Sequence, residues 1–303
     1  MKITNRHNLP DTFLSFARKD NYSKGKSDIS VTTLIDAPRV NILRQQERDK
    51  IEVDAVDMIW PLLGTAVHHM LETADPKGNV TMEERLFVDI NGWTVSGQID
   101  HQEEIGGMIH ISDYKVTSVW SVIYGKEDWV RQLNCYAQLV RMAKGRDVRS
   151  VRIIAVLRDW QRREAQFKPE YPQAPVVSVD IPLWPEEQAL AYMQERITLH
   201  QDAQLLWDTQ EAVVECSDEE RWTKPDTWAV MKAGAKRAVK VFDNNAEAIA
   251  HAVLLGKAYS VTHRKGGRTR CENYCSVAEF CTQWMMERAE AAAPELFGGG
   301  DAG

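Results

Sequence analysis

The dipeptide Gly106-Gly107 constrains the fold of this 303-residue chain more than any other feature. It joins two strand-like segments, GQIDHQEEI and MIHISDYK, and adjacent glycines favour the two-residue turn of a β-hairpin. Counting outward from the turn places Asp100 opposite Asp113. Like charges directly opposite each other destabilise a sheet. The sequence therefore predicts an antiparallel hairpin that carries two carboxylates in its middle, and this arrangement needs a physical reason.

A divalent cation between the two carboxylates provides such a reason. Opposed Cβ atoms lie about 4.5–5.5 Å apart, and proteins bind Mg²⁺ through one or two carboxylates together with water and substrate phosphate. Lys115 lies two residues beyond Asp113, so both side chains occupy the same face of the strand. Because Asp-x-Lys is common by chance, the hairpin alone does not decide for a metal site.

Composition limits the classes of protein to which the chain can belong. The hydrophobic fraction of 44% and the charged fraction of 27% are those of a globular protein. The sequence lacks a run of about 18 apolar residues and an apolar signal core, so we expect a cytoplasmic protein without a membrane partner. A net charge of -7 argues against coating nucleic acid by bulk electrostatics. The basic clusters QRRE, KAGAKRAVK and HRKGGRTR nevertheless favour a polyanionic partner.

Hydrophobic periodicity predicts alternating helices and strands. The expected order is a helix, three antiparallel strands, a helix, two strands and a long helix. This order predicts an α/β fold with a mixed central β-sheet flanked by helices, followed by a mostly helical region that contains most of the cysteines. The predicted domains are a core with N-terminal helices at 1–210, a helical accessory region at 211–290 and a flexible tail at 291–303.

Two predicted helices carry polar side chains with helical spacing. Before the hairpin, Gly64 and His68 share one face; the glycine would admit a closely packed element, and a neutral imidazole can bind a metal. After the hairpin, Gln132 and Tyr136 also stand four residues apart. Each pair taken alone is better explained by ordinary packing.

The segments together resemble a known motif series. GTAVHHMLE, GQID, SDYK and QLNCYAQL have the order and spacing of the Gly-x-x-x-His, Gly-x-x-Asp, Asp-x-Lys and Gln-x-x-x-Tyr motifs of the RecB-like group of PD-(D/E)XK nucleases. This resemblance, from Gly64 to Tyr136, implies a restriction-endonuclease-like core. It also implies a metal-dependent deoxyribonuclease, in particular an exonuclease that processes DNA ends in recombination, repair or phage replication.

The resemblance implies a role for each matching residue. The implied ligands of a catalytic Mg²⁺ or Mn²⁺ are His68, Asp100, Asp113 and the backbone carbonyl of Tyr114. Lys115 would orient or activate water and stabilise the transition state. Gln132 and Tyr136 would position the lysine and the DNA backbone. The expected partners are single- or double-stranded DNA and a recombination or single-strand-binding protein.

The cysteines predict a second site. Cys271, Cys275 and Cys281 lie within RCENYCSVAEFC, and Cys216 could be a fourth ligand. Without a signal peptide, four such cysteines favour zinc or an iron–sulfur cluster over disulfides. Cys135, inside the Gln-x-x-x-Tyr helix, is interpreted as a packed thiol.

Several RecB-like nucleases hold a [4Fe-4S] cluster through one cysteine before the histidine motif and three near the C-terminus. This chain departs from that pattern, because Ala37-Pro38-Arg39 stands where such proteins often carry Cys-Pro-Arg. Three interpretations stay open: a [4Fe-4S] cluster completed by Cys216, which we prefer, a Zn²⁺ site with the same four ligands, or a degenerate site. The segment from Cys216 to the cluster also resembles the C-terminal region of phage-encoded RecB-like exonucleases.

Two other functions remain open. One is a catalytically silent adaptor or DNA-binding subunit that keeps the nuclease fold, although the intact acidic pair, lysine and glutamine argue against it. The other is a hydrolase acting on RNA or on a small phosphorylated substrate. The basic clusters favour a polymer but do not separate DNA from RNA. Some of the ten tryptophans could stack on unpaired bases, although core packing is the commoner use.

Overall fold

A computed structural model describes residues 1–18 and 25–292. The chain forms two compact units, the first made of Met1–Ile42 and Arg48–Val213 and the second of Leu43–Glu47 and Val214–Gly303. The tail predicted for 291–303 lies outside the described residues from 293 onward. Within the described ranges, no helix has both the length and the apolar character needed to cross a membrane.

The part of the chain up to residue 213 alternates strands and helices. Its strands are β1 (Lys2–Thr4), β2 (Ile29–Ser30), β3 (Glu52–Asp54), β4 (Val80–Ile90), β5 (Trp93–Ile105), β6 (Met108–Thr117), β7 (Val148–Leu157) and β8 (Val176–Ile181). Its α-helices are α1 (Asp11–Ala17), α2 (Val31–Leu34), α3 (Pro38–Gln46), α4 (Ile59–Glu72), α5 (Val119–Tyr124), α6 (Glu127–Lys144), α7 (Arg162–Phe167) and α8 (Glu186–Asp208).

Six strands of the first unit form one mixed sheet. Its order is β2-β5-β6-β7-β8, and β4 also pairs with β5. The β4–β5, β5–β6 and β7–β8 pairs are antiparallel, whereas β6 pairs in parallel with β7 and β2 in parallel with β5. The predicted mixed α/β class is confirmed. The hairpin register is also as predicted, since Ile105 pairs with Met108 and His101 with Ser112.

The core of the first unit joins this sheet to α6 and α8. Fully buried side chains include Ile99 and Ile111 from the sheet, Leu133 from α6 and Ile197 from α8. Helix α6 starts with acidic residues, which suit the positive end of the helix dipole. It ends at Gly145, whose φ of 59° is the left-handed conformation that glycine adopts at low cost. These local signals fix the helix that carries Gln132 and Tyr136.

The second unit contains a small sheet as well as helices. Its elements are β9 (Thr223–Lys224), β10 (Thr227–Lys232), β11 (Ala238–Phe242), α9 (Asn245–Leu255), β12 (Tyr259–Arg264), β13 (Gly267–Arg268), α10 (Thr269–Asn273) and α11 (Thr282–Ala292). Strands β11, β10 and β12 form an antiparallel sheet that packs on α9 through Val230, Ala248 and Ala252. The sequence predicted a mostly helical region and missed this sheet, because its strands have only five or six residues and little apolar alternation.

Candidate active site

The two strands of the hairpin separate where their acidic residues lie. Backbone pairing of β5 with β6 ends at His101 and Ser112, although β6 continues as a strand paired with β7. On its other edge, β5 remains paired with β4. Asp100 and Asp113 are the first residues beyond the end of the β5–β6 ladder. The sheet therefore opens at the position where the sequence places two carboxylates.

Asp100 replaces part of the missing backbone pairing with its side chain. The Tyr114 N–H donates to Asp100 Oδ2 over 2.8 Å. Burial and, next, the charge of Asp113 together raise the pKa of Asp100 to about 7, against the smaller opposing effects of His68, Lys115 and the Tyr114 hydrogen bond. A carboxyl group with this pKa is held partly neutral at physiological pH. A bound cation would stabilise its charged form.

His68, Glu83 and Asp100 form a cluster of possible metal ligands. One ligand atom from each residue lies within 4.8 Å of the others. His68 Nδ1 is 3.6 Å from Asp100 Oδ2 and 3.7 Å from Glu83 Oε1, while its Nε2–H donates to the Tyr114 carbonyl over 2.9 Å. Three of the four predicted ligands, His68, Asp100 and the carbonyl of Tyr114, thus lie together.

The histidine of this cluster favours its protonated form. The neighbouring Glu83 carboxylate is the largest cause that raises the pKa of His68; burial lowers that pKa, and the charges of Asp100 and Asp113 raise it again. A proton on the imidazole therefore partly neutralises the surrounding carboxylates. A divalent cation would replace this proton, because a histidine ligand must be neutral.

Sequence reasoning missed Glu83. Its neighbours Met82 and Glu84 pair with β5, but Glu83 does not, and its φ of 50° is in the left-handed region. Such backbone strain in a residue other than glycine concentrates at functional sites. Gln98 Nε2 donates to Glu83 Oε2 over 2.8 Å, which orients the carboxylate. No turn residue in the segment signals this irregularity, so the sequence gives no sign that Glu83 lies at the site.

The buried Asp113 forms an ion pair with the partly exposed Lys115 beside the cluster. Asp113 is 1% exposed, and Lys115 Nζ lies 2.6 Å from its Oδ2. Apart from this ion pair, no hydrogen-bond donor of the described residues reaches that oxygen. Burial would lower the pKa of Lys115, but the charges of Asp113 and Asp100 outweigh it and the net shift is upward. Lys115 is therefore a cation at neutral pH.

Gln132 and Tyr136 hold the other side of Asp113. Gln132 Nε2 lies 3.4 Å from Asp113 Oδ1 and 2.8 Å from Tyr136 Oη, and it donates to both. The glutamine therefore reaches the lysine only through the aspartate. Tyr136 is 4% exposed and supports Gln132 from within the core.

The glycine of the GQID motif has a packing role. A Cβ atom on Gly97 would lie 2.8 Å from the ring of Tyr136 and 2.6 Å from Leu139. Only glycine lets α6 approach β5 closely enough to place Gln132 on Asp113. Gly64 is different, since a Cβ there would meet no described atom within 4 Å. Within the described residues no element packs closely against Gly64, contrary to the expectation from the sequence.

The second unit brings the segments of the four cysteines near one another. The backbone N–H of Cys216 donates to Gln283 Oε1 over 2.9 Å, and Gln283 Nε2 donates back to the Cys216 carbonyl over 3.0 Å. Gln283 lies two residues after Cys281. Burial raises the pKa of Cys275, and the charges of Cys271 and Cys281 raise it further.

The four thiols do not form a tight cluster of ligand atoms. Among the described residues, no three of them lie within 4.8 Å of one another. The fifth cysteine, Cys135, is 1% exposed, and burial raises its pKa to about 12. It is a packed core thiol, as its position in α6 predicted.

Comparisons with known proteins match only part of the chain. A family model described as "Uncharacterized protein conserved in bacteria (DUF2188)" matches residues 220–275, which lie in the second unit. No curated protein matches the sequence.

Two solved structures are similar at low identity. The crystal structure of SSO0001 has 15% identity and a TM-score of 0.43, over 62% of this chain and 82% of that chain. A protein from Eubacterium rectale, provisionally described as an exonuclease, has 14% identity and a TM-score of 0.31, over 66% of this chain and 76% of that chain. These likenesses are too weak to argue from, so function is argued from the site.

Proposed function

We propose that this chain is a divalent-metal-dependent nuclease of the PD-(D/E)XK type that acts on DNA. The observation that supports it most is the gap between β5 and β6. At this gap His68, Glu83 and Asp100 offer ligand atoms within 4.8 Å of one another, beside the Asp113–Lys115 ion pair. Burying two carboxylates where the β5–β6 pairing ends costs free energy that a bound cation would offset.

The residues fit a hard divalent cation such as Mg²⁺ or Mn²⁺. Carboxylate and carbonyl oxygens are the preferred ligands of these ions, and the raised pKa of Asp100 marks a carboxylate that lacks a compensating charge. We assign Glu83 to the ligand set with His68, Asp100, Asp113 and the Tyr114 carbonyl. When bound, the ion would supply an activated water and neutralise charge on a phosphate.

The remaining residues then have defined tasks. Lys115, a cation with 29% of its side chain exposed, is placed to stabilise the negative charge that develops on a phosphodiester. Asp113 holds this ammonium group, and Gln132 holds Asp113. Because the pKa of Lys115 is raised, the lysine acts as a fixed positive charge rather than as a general base.

The experiment compares DNA substrates in one assay. End-labelled linear, gapped and circular DNA, and linear RNA, are incubated with Mg²⁺, with Mn²⁺ or with a chelator. We expect metal-dependent cleavage of DNA, and cleavage of linear but not circular molecules if the enzyme is an exonuclease. Asp113→Asn should abolish cleavage. Asp180→Asn, an exposed carboxylate on β8 of the same sheet, is the matched control and should cleave normally.

Two results would contradict the proposal. Equal cleavage by Asp113→Asn and wild type would show that the activity has another origin. Metal-independent DNA binding without cleavage by the wild type would favour the adaptor subunit, and exclusive cleavage of RNA would favour the ribonuclease.

We further propose that Cys216, Cys271, Cys275 and Cys281 hold a [4Fe-4S] cluster with a structural role. The charges of Cys271 and Cys281 act on Cys275, and Gln283, two residues after Cys281, hydrogen-bonds the Cys216 backbone. These contacts support one shared site, and four cysteine thiolates are the usual ligands of such a cluster. Broad visible absorbance and stoichiometric iron in anaerobically purified protein would support it. Stoichiometric zinc in a colourless sample would overturn it.

A further inference from the structure

Two large aromatic side chains are exposed on the short helix that follows the candidate active site in the chain. Trp120 and Tyr124, both on α5, are 56% and 79% exposed, and their rings are stacked with centroids 5.8 Å apart and an interplanar angle of 15°. Helix α5 directly follows the strand that carries Asp113 and Lys115. These aromatic faces remain in water, which costs free energy that core packing would recover.

The start of α5 is held firmly. Ser118 Oγ donates to Asp159 Oδ2 over 2.6 Å, and the backbone N–H of Val119 donates to Asp159 Oδ1 over 2.8 Å. Arg158 N–H also donates to the Thr117 carbonyl over 3.0 Å. The exposed pair therefore stands on an anchored helix rather than on a loose loop.

A third exposed aromatic ring lies on the metal-facing side of α4. Trp60, Gly64 and His68 are four residues apart and share one face of this helix. Trp60 is 52% exposed, and the Arg158 guanidinium lies 4.3 Å from its ring centroid. Eight residues of helix rise about 12 Å, and a Cβ on Gly64, midway between Trp60 and His68, would meet no described atom within 4 Å. This length of helix matches about three stacked nucleotides at 3.4 Å each.

Positive charge accompanies these rings. Partial desolvation lowers the pKa of Lys126; Asp128 opposes this effect, while the nearby charges of Arg158 and Lys115 lower the pKa further. Lys126 therefore lies within reach of the positive charges of Arg158 and Lys115. Within the described ranges, neither Lys126 nor Arg158 forms an ion pair. A polyanion would relieve this repulsion.

We propose that this face binds an unpaired DNA strand and leads it to the metal centre. Trp120, Tyr124 and Trp60 stack on bases, and Lys126 and Arg158 contact phosphates. Unpaired bases expose their faces to such rings, whereas the bases of a duplex are already stacked on each other. The inference rests on the proposed nuclease function and specifies its substrate as single-stranded DNA or a single-stranded end.

The test measures binding without cleavage. Fluorescently labelled oligothymidylate and a blunt duplex of equal length are titrated with full-length protein in the presence of a chelator. We expect the wild type to prefer the single strand. The double variant Trp120→Ala/Tyr124→Ala should lose single-strand affinity by about 5- to 150-fold per stacked base, with duplex affinity unchanged.

Matched variants separate stacking from loss of structure. Trp120→Phe/Tyr124→Phe keeps two aromatic faces and should retain most of the single-strand affinity. Trp207→Ala removes a 43% exposed tryptophan from α8 and should change nothing. Trp60→Ala is measured separately and should weaken single-strand binding alone, so the test does not depend on folding of the double variant.

Three outcomes would overturn the inference: tighter binding of duplex by the wild type, equal losses on both ligands, or no loss in both the Trp60→Ala variant and the double variant. Because binding is measured without metal, failure of the proposed nuclease reaction is a separate result. A wild type that cleaves DNA while its stacking variants bind normally would refute the strand path and leave the active site intact.

Discussion

Asp100→Asn removes a residue of the proposed active site, and yet it should stabilise the metal-free protein relative to the wild type. This stability difference should grow as pH rises. The substitution keeps the size of the side chain and leaves an oxygen that can accept from Tyr114 N–H. In the wild type the folded-state pKa of Asp100 is about 7, against an ordinary value of 3.8. Between these values folding takes up a proton, so the contribution of Asp100 to stability falls as pH rises and levels off above about pH 7.

The magnitude follows from the size of this shift. Each pKa unit corresponds to about 1.4 kcal/mol, so the charged carboxylate costs about 4 kcal/mol at pH 8 and under about 2 kcal/mol at pH 5. The unfolding free energy of Asp100→Asn minus that of the wild type should therefore rise by roughly 2.5 kcal/mol from pH 5 to pH 8. Any fixed effect of the new amide cancels in this difference.

Urea unfolding with a chelator, followed by circular dichroism at several pH values, measures this difference. Asp54→Asn is the control, because the pKa of Asp54 is shifted in the opposite direction to that of Asp100. Hydrogen bonds from the backbone N–H groups of Arg6 and then Val56 lower the pKa of Asp54 to about 2, so its contribution is fully present above about pH 4 and the effect of its replacement should be flat from pH 5 to pH 8. Adding Mg²⁺ should stabilise the wild type above pH 7 but not Asp100→Asn. A difference for Asp100→Asn that does not change with pH would refute the reasoning.

Three further substitutions test the supports of the site. Gly97→Ala places a methyl group against Tyr136 and Leu139 and should lower the unfolding free energy by about 1–3 kcal/mol, with reduced cleavage. A Cβ on Gly64 would meet no described atom within 4 Å, so Gly64→Ala should leave the unfolding free energy unchanged or raise it by up to about 1 kcal/mol. Equal losses of unfolding free energy in Gly97→Ala and Gly64→Ala would contradict the packing argument. Glu83→Gln should weaken Mn²⁺ binding and shift the NMR-monitored pKa of His68 downward; unchanged values for both would remove Glu83 from the site.

Much of the site was predictable because its signals are local. The Gly106-Gly107 turn determines the hairpin register, and helical spacing places Gln132 and Tyr136 on one face. Motif order then indicated that His68 belongs with Asp100. None of these inferences requires knowledge of how distant segments pack.

The features that the sequence did not reveal depend on packing between segments. Glu83 lies at the site because of an irregularity of β4 that no local residue signals. Gln132 contacts Asp113 rather than the lysine because α6 packs closely against β5 at Gly97. The sheet of the second unit was missed because short strands gain their stability from α9 rather than from their own pattern. Exposure also had to be observed, since nothing in the sequence distinguishes Trp120 from a core tryptophan.

The burial of Cys135 has a practical consequence for experiments on the intact protein. A thiol with a pKa of about 12 and 1% exposure reacts with alkylating reagents only after the fold opens. Under native conditions such reagents would therefore first modify Cys216, Cys271 and Cys275, because Cys281 is only 8% exposed. A bound cluster would block all four. The number of cysteines labelled before and after removal of the cluster, counted by mass spectrometry, would thus report on the second unit, while late labelling of Cys135 would time the unfolding of the first.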